Sequence, residues 1–366
     1  MVFVNTEELL PGMCLARDIH FYTPASTSAV TLTRGQKITD VQITQMNSAK
    51  LDGAYIDTIR SEVRVISSIN QEIRREAITN IHNLADNFID SSRGVQKSDI
   101  EAIDGTTQSL IDGLSLNKDI LVNIADIKMY DDYTFHHSLS VAIMSIAIGM
   151  ELGFKNSMLK ELGLAGLLHD IGKVAVPIEI ITKPDRLTKE EFDIVKMHPV
   201  HAANHFKERN LVNDNIFNGI VAHHEKLDGS GYPNHLRGAQ IHPYARILAV
   251  ADVYDALTSN RPYRIPNPPN EAIEFVMGGM STHFDETVVK AFLRKVAPFP
   301  AGSKVQLSND EVAYVLKNYP DQPLRPLVAV EHSETLYDLS FDKECMNIVI
   351  TKLLEGSKHN QSLINM

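Results

Sequence analysis

The chain has 366 residues, enough for two or three domains that each bury a core. Its formal net charge is −11, which excludes the broad basic face that binding to long nucleic acids requires. The longest apolar run, residues 139–150, is shorter than the roughly 20 residues that cross a bilayer, so we expect no membrane partner. Two cysteines, Cys14 and Cys345, cannot form a disulfide framework, and the N-terminus lacks a basic signal segment. We therefore expect a cytoplasmic protein.

Residues 1–65 predict a small α+β domain. The predicted strands cover residues 2–4, 13–19 and 54–57, and the predicted helix covers residues 40–50 behind a Thr39 N-cap. We find no metal-ligating or catalytic constellation in this segment. We therefore interpret it as a regulatory or dimer-forming domain.

Residues 66–129 predict a helical connector. Apolar residues recur at three- and four-residue steps in two stretches, as on one face of an amphipathic helix, and Ser91–Gly94 separates the stretches. The first stretch contains Ile69, Ile73, Ala77, Ile81, Leu84 and Phe88. These helices pack either within one chain or between two chains of a homodimer, which could also form through the N-terminal domain.

Residues 130–298 are predicted to be helical and to contain the functional site. Residues 299–366 are predicted to form a β-rich C-terminal appendage and tail. Thr188–Glu191 forms a capping box at the start of the helix that leads to His198. Short strands are predicted at residues 305–307, 312–315 and 327–330.

An adjacent histidine and aspartate, His169 and Asp170, follow an apolar helical run and precede Ile-Gly-Lys. An imidazole and a carboxylate at a helix end can bind one divalent cation together. We expect Gly172 to let the backbone turn tightly around that cation. Because this pair is common by chance, its significance depends on the residues downstream.

Further histidines and an aspartate recur in apolar helical surroundings at intervals of 25–32 residues. The full set is His137, His169, Asp170, His198, His223, His224 and Asp252. Such intervals fit the antiparallel helices of a bundle, whose inward side chains share one centre. Buried polar groups cost free energy unless something satisfies them, and a metal would. Seven donors exceed the four to six of one ion, and the absence of thiolate favours iron or manganese.

Several stretches resemble the HD-GYP domain, a branch of the HD phosphohydrolases. They are residues 133–138, 169–173, 223–233, 246–259, 261–264 and 283–285. The N-terminal unit, with Leu10-Pro11-Gly12-Met13, resembles a domain often fused ahead of HD-GYP modules. The resemblance implies a mainly α protein, in which an HD-type helical bundle forms the catalytic domain beside the small α+β domain and the β-rich appendage.

The resemblance also implies the activity, which is hydrolysis of cyclic di-GMP to linear pGpG, with further hydrolysis to GMP left open. The seven side chains would bind two divalent first-row ions, iron or manganese. Asp170 would bridge the ions and Lys173 would contact the phosphate, so these two are the expected catalytic residues. Members with a third ion use a carboxylate shortly before the first histidine. Here Tyr133 occupies that place, with Asp131 and Asp132 nearby, so a third ion stays open.

The remaining implied positions surround the substrate. The expected substrate-binding residues are Lys173, Gly231, Tyr232, Pro233, Arg261 and Arg264. The two arginines either grip a phosphate or guanine edge or form salt bridges, and Tyr232 either stacks on a base or packs the loop. Glu225 and Asp228 are expected to hold that loop by hydrogen bonds. The extra histidines His136, His201 and His205 are expected at solvated helix positions.

Three alternatives stay open at this point. The motifs do not separate cyclic di-GMP from 3'3'-cyclic GMP-AMP as the preferred substrate. A non-catalytic cyclic-dinucleotide receptor or adaptor would not need all seven ligands. A nucleotidase of the wider HD superfamily would not be expected to have the Gly-Tyr-Pro loop.

Overall fold

The structure is a computed structural model. It describes residues 2–6, 9, 11, 13–21, 30–49, 51, 53–56, 69, 71–89, 94–116, 133–183, 185–259, 267–299, 301–331, 333 and 335–354. The chain divides into two compact units. The first unit combines the segment up to Ile66 with the segment from Pro298 onward, and the second combines Ser67–Ile124 with Asp132–Ala297. The domain boundaries at residues 65, 129 and 298 stay a prediction.

The N-terminal part of the first unit is built from two strand pairs and a helix. Its elements are β1 (Val2–Asn5), β2 (Ile19–Phe21), β3 (Val30–Leu32), α1 (Asp40–Ser48) and β4 (Gly53–Ile56). Strand β1 pairs antiparallel with β4, and β2 pairs antiparallel with β3. The predicted Thr39 N-cap is confirmed, because its hydroxyl accepts from the Gln42 backbone while the Gln42 side chain accepts from the Thr39 backbone.

The strand predicted over residues 13–19 is wrong for most of its length. The neighbours Cys14 and Leu15 each form a single bridge, to Lys37 and Ile56 respectively. Because adjacent residues pair with different segments, no continuous ladder forms there. Regular pairing begins only at Ile19.

The C-terminal part of the first unit is a five-stranded antiparallel sheet in the order β8-β7-β6-β5-β9. Its strands are β5 (Lys304–Leu307), β6 (Val312–Lys317), β7 (Leu327–Val330), β8 (Leu336–Asp338) and β9 (Ile350–Leu353). The three predicted strands are confirmed as β5, β6 and β7. The two edge strands, β8 and β9, were not predicted because they bury no residue fully and therefore lack the apolar alternation of a strand with one buried face.

The second unit is helical. Its helices are α2 (Gln71–Ile89), α3 (Lys97–Ser115), α4 (Tyr133–Glu151), α5 (Asn156–Leu168), α6 (Ile178–Ile181), α7 (Lys189–Val195), α8 (His198–Glu208), α9 (Asp214–Val221), α10 (Pro243–Thr258), α11 (Pro269–Gly278) and α12 (Glu286–Lys295). Short 3-10 helices cover Ile171–Ala175 and Gly238–Gln240. Helix α4 is central and packs against α2, α5, α10 and α12. The predicted mainly α fold with small sheet regions is confirmed.

Helix α2 follows the amphipathic pattern of the sequence. Ala77, Ile81 and Leu84 are buried, and the helix packs against α3, α4 and the 3-10 helix Ile171–Ala175. These contacts are all within one chain, and a homodimer stays a prediction. The capping box at Thr188 is also confirmed, although α7 ends at Val195 and His198 begins the next helix. Among the described residues, we find no helix with both the length and the hydropathy of a membrane span.

Candidate metal centre

The seven predicted ligands meet in one cluster although they come from different helices. His137 lies on α4, His169 and Asp170 follow α5, and His198 begins α8. His223 and His224 follow α9, and Asp252 lies on α10. All are buried except His224, which is partly exposed. The imidazole rings of His169 and His223 are 4.9 Å apart, and those of His198 and His224 are 5.2 Å apart.

Asp170 lies at the middle of this cluster. Its Oδ2 is 3.4 Å from Nε2 of His137 and 3.5 Å from Nε2 of His169, and its Oδ1 is 3.1 Å from Nε2 of His198. Two groups of donor atoms can each hold a metal ion, and Asp170 belongs to both. One group is Asp170, His198, His223 and His224, and the other is His137, His169 and Asp170.

Asp252 also faces both groups. Its Oδ1 is 3.1 Å from Nε2 of His137, and its Oδ2 is 3.6 Å from Nδ1 of His224. Neighbouring donors of an ion bonded at about 2.1 Å lie about 3.0–3.4 Å apart. The separations around Asp170 and Asp252 therefore resemble those within a coordination shell.

The histidines are oriented as metal ligands. In His169, His198 and His223, Nδ1 donates to the carbonyl oxygen three residues earlier, in Gly166, Val195 and Ile220, at 2.6–2.7 Å. The opposite atom, Nε2, is then an acceptor directed into the cluster. In all three residues Nε2 is buried and has no hydrogen-bond partner among the residues that the structure describes. Because such atoms are costly to bury, this donor set fits a divalent metal.

His137 is held by a carboxylate that the sequence analysis did not include. Its Nδ1 lies 2.7 Å from Oδ2 of Asp255, which is fully buried and also accepts from the Ser259 hydroxyl. A carboxylate behind a ligating histidine fixes the ring and raises its basicity. The available signal was the spacing of Asp252 and Asp255, which places both on one face of an apolar helix.

Burial sets the charge state of most of the histidines. It lowers the pKa of His169 and His223, and it lowers the pKa of His224 to about 3, so these rings are neutral near pH 7. Neutral imidazole is the form that binds a metal. Burial also works to lower the pKa of His137, but its contacts with Asp170, Asp252 and Asp255 outweigh burial and raise it. A divalent cation among these carboxylates would replace the proton that His137 otherwise carries.

The two central carboxylates are ionised. Burial by itself raises the pKa of each, but neighbouring positive charge and hydrogen bonds outweigh burial and lower both pKa values. For Asp170 the main such neighbour is Lys173, whose Nζ is 2.5 Å from Oδ2. The Lys173 side chain is 29% exposed, so it lies at the edge of the cluster.

Gly172 has a different role from the predicted tight turn. Its φ angle is outside the left-handed region, so its backbone does not require glycine. Instead, a Cβ atom at this position would lie 2.1 Å from the carbonyl oxygen of His198. Glycine therefore allows the start of α8 to contact the 3-10 helix, which brings His198 beside Asp170.

The Gly-Tyr-Pro loop is held as predicted. The Glu225 carboxylate accepts from the backbone N–H groups of Asn234 (2.6 Å) and Leu236 (3.1 Å), and Asp228 accepts from that of Ser230 (2.8 Å). The Tyr232 ring lies 4.7 Å from the His224 ring, so the loop forms one side of the cluster.

Other predicted positions lie outside the cluster or outside the described residues. Arg261, Arg264, Asp131 and Asp132 are outside the described residues, as is the side chain of Tyr133. The prediction of a solvated His136 is wrong, because its side of α4 faces α2, and burial together with Arg74 lowers its pKa to about 4. His201 is exposed as predicted, whereas His205 is partly buried and stacks on Phe88 at 4.2 Å.

Comparison with known proteins shows which families and folds this chain resembles. Residues 115–288 match the family model described as HD domain. A solved structure of Bd1817, a HDG"Y"P protein from Bdellovibrio bacteriovorus, has the same fold with a TM-score of 0.52. It is 18% identical, over 80% of this chain and 97% of that one. Residues 115–288 are therefore similar to HD domains, in agreement with the predicted resemblance, and the likeness to Bd1817 concerns the fold alone.

Curated relatives are similar over part of the chain. Cyclic di-GMP phosphodiesterase PA4108 of Pseudomonas aeruginosa is 39% identical, over 63% of this chain and 56% of that protein. The 3'3'-cGAMP-specific phosphodiesterase 1 of Vibrio cholerae is 38% identical, over 43% of this chain and 36% of that protein. A cyclic di-GMP phosphodiesterase of Thermotoga maritima is 36% identical, over 48% and 50% of the two chains. The chain thus spans about half the length of these relatives, or less.

Proposed function

We propose that this protein is a metal-dependent phosphodiesterase that hydrolyses cyclic di-GMP to linear pGpG in bacterial second-messenger signalling. One observation carries the proposal. Buried Nε2 atoms of three histidines, without hydrogen-bond partners among the described residues, surround a carboxylate that also contacts Lys173. The names of the relatives support the cyclic-dinucleotide substrate class.

We propose two metal ions, with Asp170 as a bridging ligand. His198, His223 and His224 would hold one ion, and His137 and His169 the other. Asp252 would contribute to either or both, because its two oxygens face different groups. Imidazole and carboxylate donors without thiolate favour iron or manganese.

The residues around the metals have separate tasks. Divalent ions at such a site supply an activated water near neutral pH and balance the charge of the phosphate. Lys173 can donate to a non-bridging phosphate oxygen as negative charge develops there. Asp255 orients His137, and Glu225 keeps the Gly-Tyr-Pro loop against His224.

A preference for 3'3'-cyclic GMP-AMP is the second candidate. The relative named a cyclic di-GMP phosphodiesterase and the one named a 3'3'-cGAMP-specific phosphodiesterase are similarly close to this chain, at 39% and 38% identity. A non-catalytic receptor is less well supported, because a cluster of seven metal donors is not needed to bind a nucleotide.

Product analysis tests the proposal. The protein would be loaded with Fe(II) or Mn(II) under reducing conditions, given each cyclic dinucleotide separately, and followed by chromatography. We expect pGpG from cyclic di-GMP, and a later GMP peak would reveal a second hydrolytic step. The control is the double variant His169→Ala with Asp170→Ala, with helical content measured by circular dichroism. Absence of product from both substrates with metal-loaded wild type would contradict the proposal.

A further inference from the structure

An exposed aromatic residue lies beside the metal cluster. Phe192, on α7, is 44% exposed, and its ring makes an edge contact with the Tyr232 ring at 6.4 Å between centroids. Tyr232 in turn contacts the His224 ring at 4.7 Å. A continuous row of aromatic rings thus leads from a predicted metal ligand to the surface.

Packing of the protein core does not explain this position. The structure describes all of Lys189–Val195, and none of these residues is buried. Polar contacts hold the helix instead. Thr188 and Glu191 form the capping box, and Nζ of Lys183 donates to both carboxylate oxygens of Glu191 at 2.7–2.8 Å. Phe192 is therefore an apolar side chain at the surface, on a helix whose start is fixed by polar contacts.

A positive charge accompanies the ring. Nζ of Lys196 lies over one face of the Phe192 ring, 4.8 Å from its centre, and is paired with Oδ1 of Asp193 at 2.6 Å. An aromatic face beside an ammonium group suits a nucleotide, because the base stacks on the ring and the lysine attracts its negative oxygen atoms.

We propose that Phe192 is the platform on which one purine base of the substrate stacks, with Lys196 beside it. This inference rests on the proposed function and names a residue that determines substrate affinity. The ring row favours a substrate base over a protein partner, because the row connects Phe192 through Tyr232 to His224. The exposed neighbours Ile194 and Met197 would instead serve a protein interface if that alternative held.

Steady-state kinetics provide the first test. Loss of a stacked base costs about 1–3 kcal/mol, so we expect Phe192→Ala to raise KM by about 5- to 150-fold while kcat changes much less. Metal content should equal that of the wild type, and Phe192→Trp should bring KM back toward the wild-type value. Phe275→Ala is the matched control, because Phe275 is 52% exposed on α11, and it should leave KM unchanged. An unchanged KM in Phe192→Ala would overturn the proposal.

Fluorescence provides a test that needs no turnover. The sequence has no tryptophan, so Phe192→Trp introduces a single tryptophan at the proposed platform, and its fluorescence can be excited selectively over that of the tyrosines. We expect cyclic di-GMP and linear pGpG to quench it, and Phe275→Trp to stay unquenched. Quenching without any hydrolysis by the wild type would refute the proposed function but support the platform. Hydrolysis without quenching would refute the platform alone. Loss of self-association in Phe192→Ala, measured by light scattering with KM unchanged, would identify a protein interface and also refute it.

Discussion

Three of the metal-facing histidines obtain their orientation from helix ends. The last carbonyl groups of a helix have no partner within it, and His169, His198 and His223 each donate to one of them, at the ends of α5, α7 and α9. The negative end of a helix dipole also favours a nearby cation. One local arrangement, used three times, therefore both aims the acceptor nitrogen and favours positive charge in the cluster.

His137 lies within helix α4, where no helix-end carbonyl group is available. The side chain of Asp255 therefore orients its ring. We expect Asp255→Asn to lower metal affinity or activity by about 10- to 100-fold, the usual effect of removing a carboxylate behind a ligating histidine. Metal content by elemental analysis and kcat would be measured together. Ser259→Ala is the control, because it removes only the hydroxyl that donates to the same oxygen, and its effect should be smaller. Equal metal content and rate in Asp255→Asn and wild type would exclude this role.

Lys173 is the charged group nearest the central carboxylate. We expect Lys173→Ala to lower kcat by about 10²-fold or more, as when one transition-state stabiliser is removed. Rapid-mixing kinetics at saturating substrate would measure it. Lys160→Ala serves as the control, because Lys160 is similarly exposed but pairs with Asp104 on α3 rather than with a residue of the cluster. If kcat were the same in Lys173→Ala as in wild type, Lys173 would have a structural role only.

At the scale of elements, the contact between the 3-10 helix and α8 decides whether the cluster forms. A Cβ on Gly172 would lie 2.1 Å from the His198 carbonyl oxygen, so Gly172→Ala must displace the start of α8. We expect loss of metal binding and destabilisation by about 1–3 kcal/mol, the usual cost of overpacking. Metal titration and urea denaturation would measure both effects.

The matched control is Gly278→Ala at the end of α11, where an added Cβ meets nothing within 4 Å among the described residues. That substitution should keep metal affinity and stability at the wild-type level. A Gly172→Ala protein with wild-type metal affinity would show that α8 can move without disturbing His198.

A second contact between elements involves Asp285, the N-cap residue of α12. Its Oδ1 accepts from the backbone N–H groups of Thr287 and Val288, and its Oδ2 accepts from Arg246 at 2.8 Å. Partial burial works to raise the pKa of Asp285, but these hydrogen bonds and the Arg246 charge outweigh it and lower the pKa. A lowered folded-state pKa contributes stability above the unfolded-state value, near 3.9, that is lost as the pH falls through the folded-state value.

We therefore expect Asp285→Asn to be less stable than wild type at pH 7 by about 0.2–1 kcal/mol, because the ion pair is partly exposed. The difference should shrink as the pH falls below about 4, where the carboxylate becomes protonated in the unfolded and then the folded state. Urea denaturation at several pH values would measure it, with Glu274→Gln on the exposed side of α11 as control. A stability difference that stayed constant from pH 7 to pH 2 would refute the linkage.

At the scale of the whole molecule, metal binding should stabilise only part of the chain. The first unit has its own hydrophobic cores, around Phe21 and Met46 and around Val305 and Val315. All seven residues of the cluster lie in the second unit. Removal of metal should therefore lower the unfolding temperature of one transition and leave any separate transition of the first unit unchanged.

A ligand present at about 100 times its Kd adds about 2.7 kcal/mol to the free energy of unfolding. We therefore expect removal of the metal by chelation to lower the Tm of the second unit by about 5–10 °C. Readdition of Mn(II) should restore it, as followed by calorimetry. The Tm of the His198→Ala variant should change less on chelation, because this variant lacks one of the buried donor atoms. An identical Tm with and without metal would argue against a structural contribution of the cluster.

Periodic patterns predicted the fold where one face of an element is buried. They identified the faces of α2 and α3 and the strands β5, β6 and β7, because those residues alternate between core and solvent. They failed for β8 and β9, which carry no buried residue, and for residues 13–18, whose pairing partners are far along the chain. Such partners are set by tertiary contacts that local patterns do not contain.

The sequence by itself determined which donor side chains are available and that they recur at intervals of 25–32 residues on apolar helices. Burying seven such groups is costly without a metal, so this pattern indicated a metal site. Tertiary structure alone decided how they meet. It placed Asp255 behind His137, replaced the expected turn at Gly172 with a close helix contact, and brought Phe192 beside Tyr232. Each of these depends on the distance between residues from separate elements, and that distance is fixed only when the helices pack.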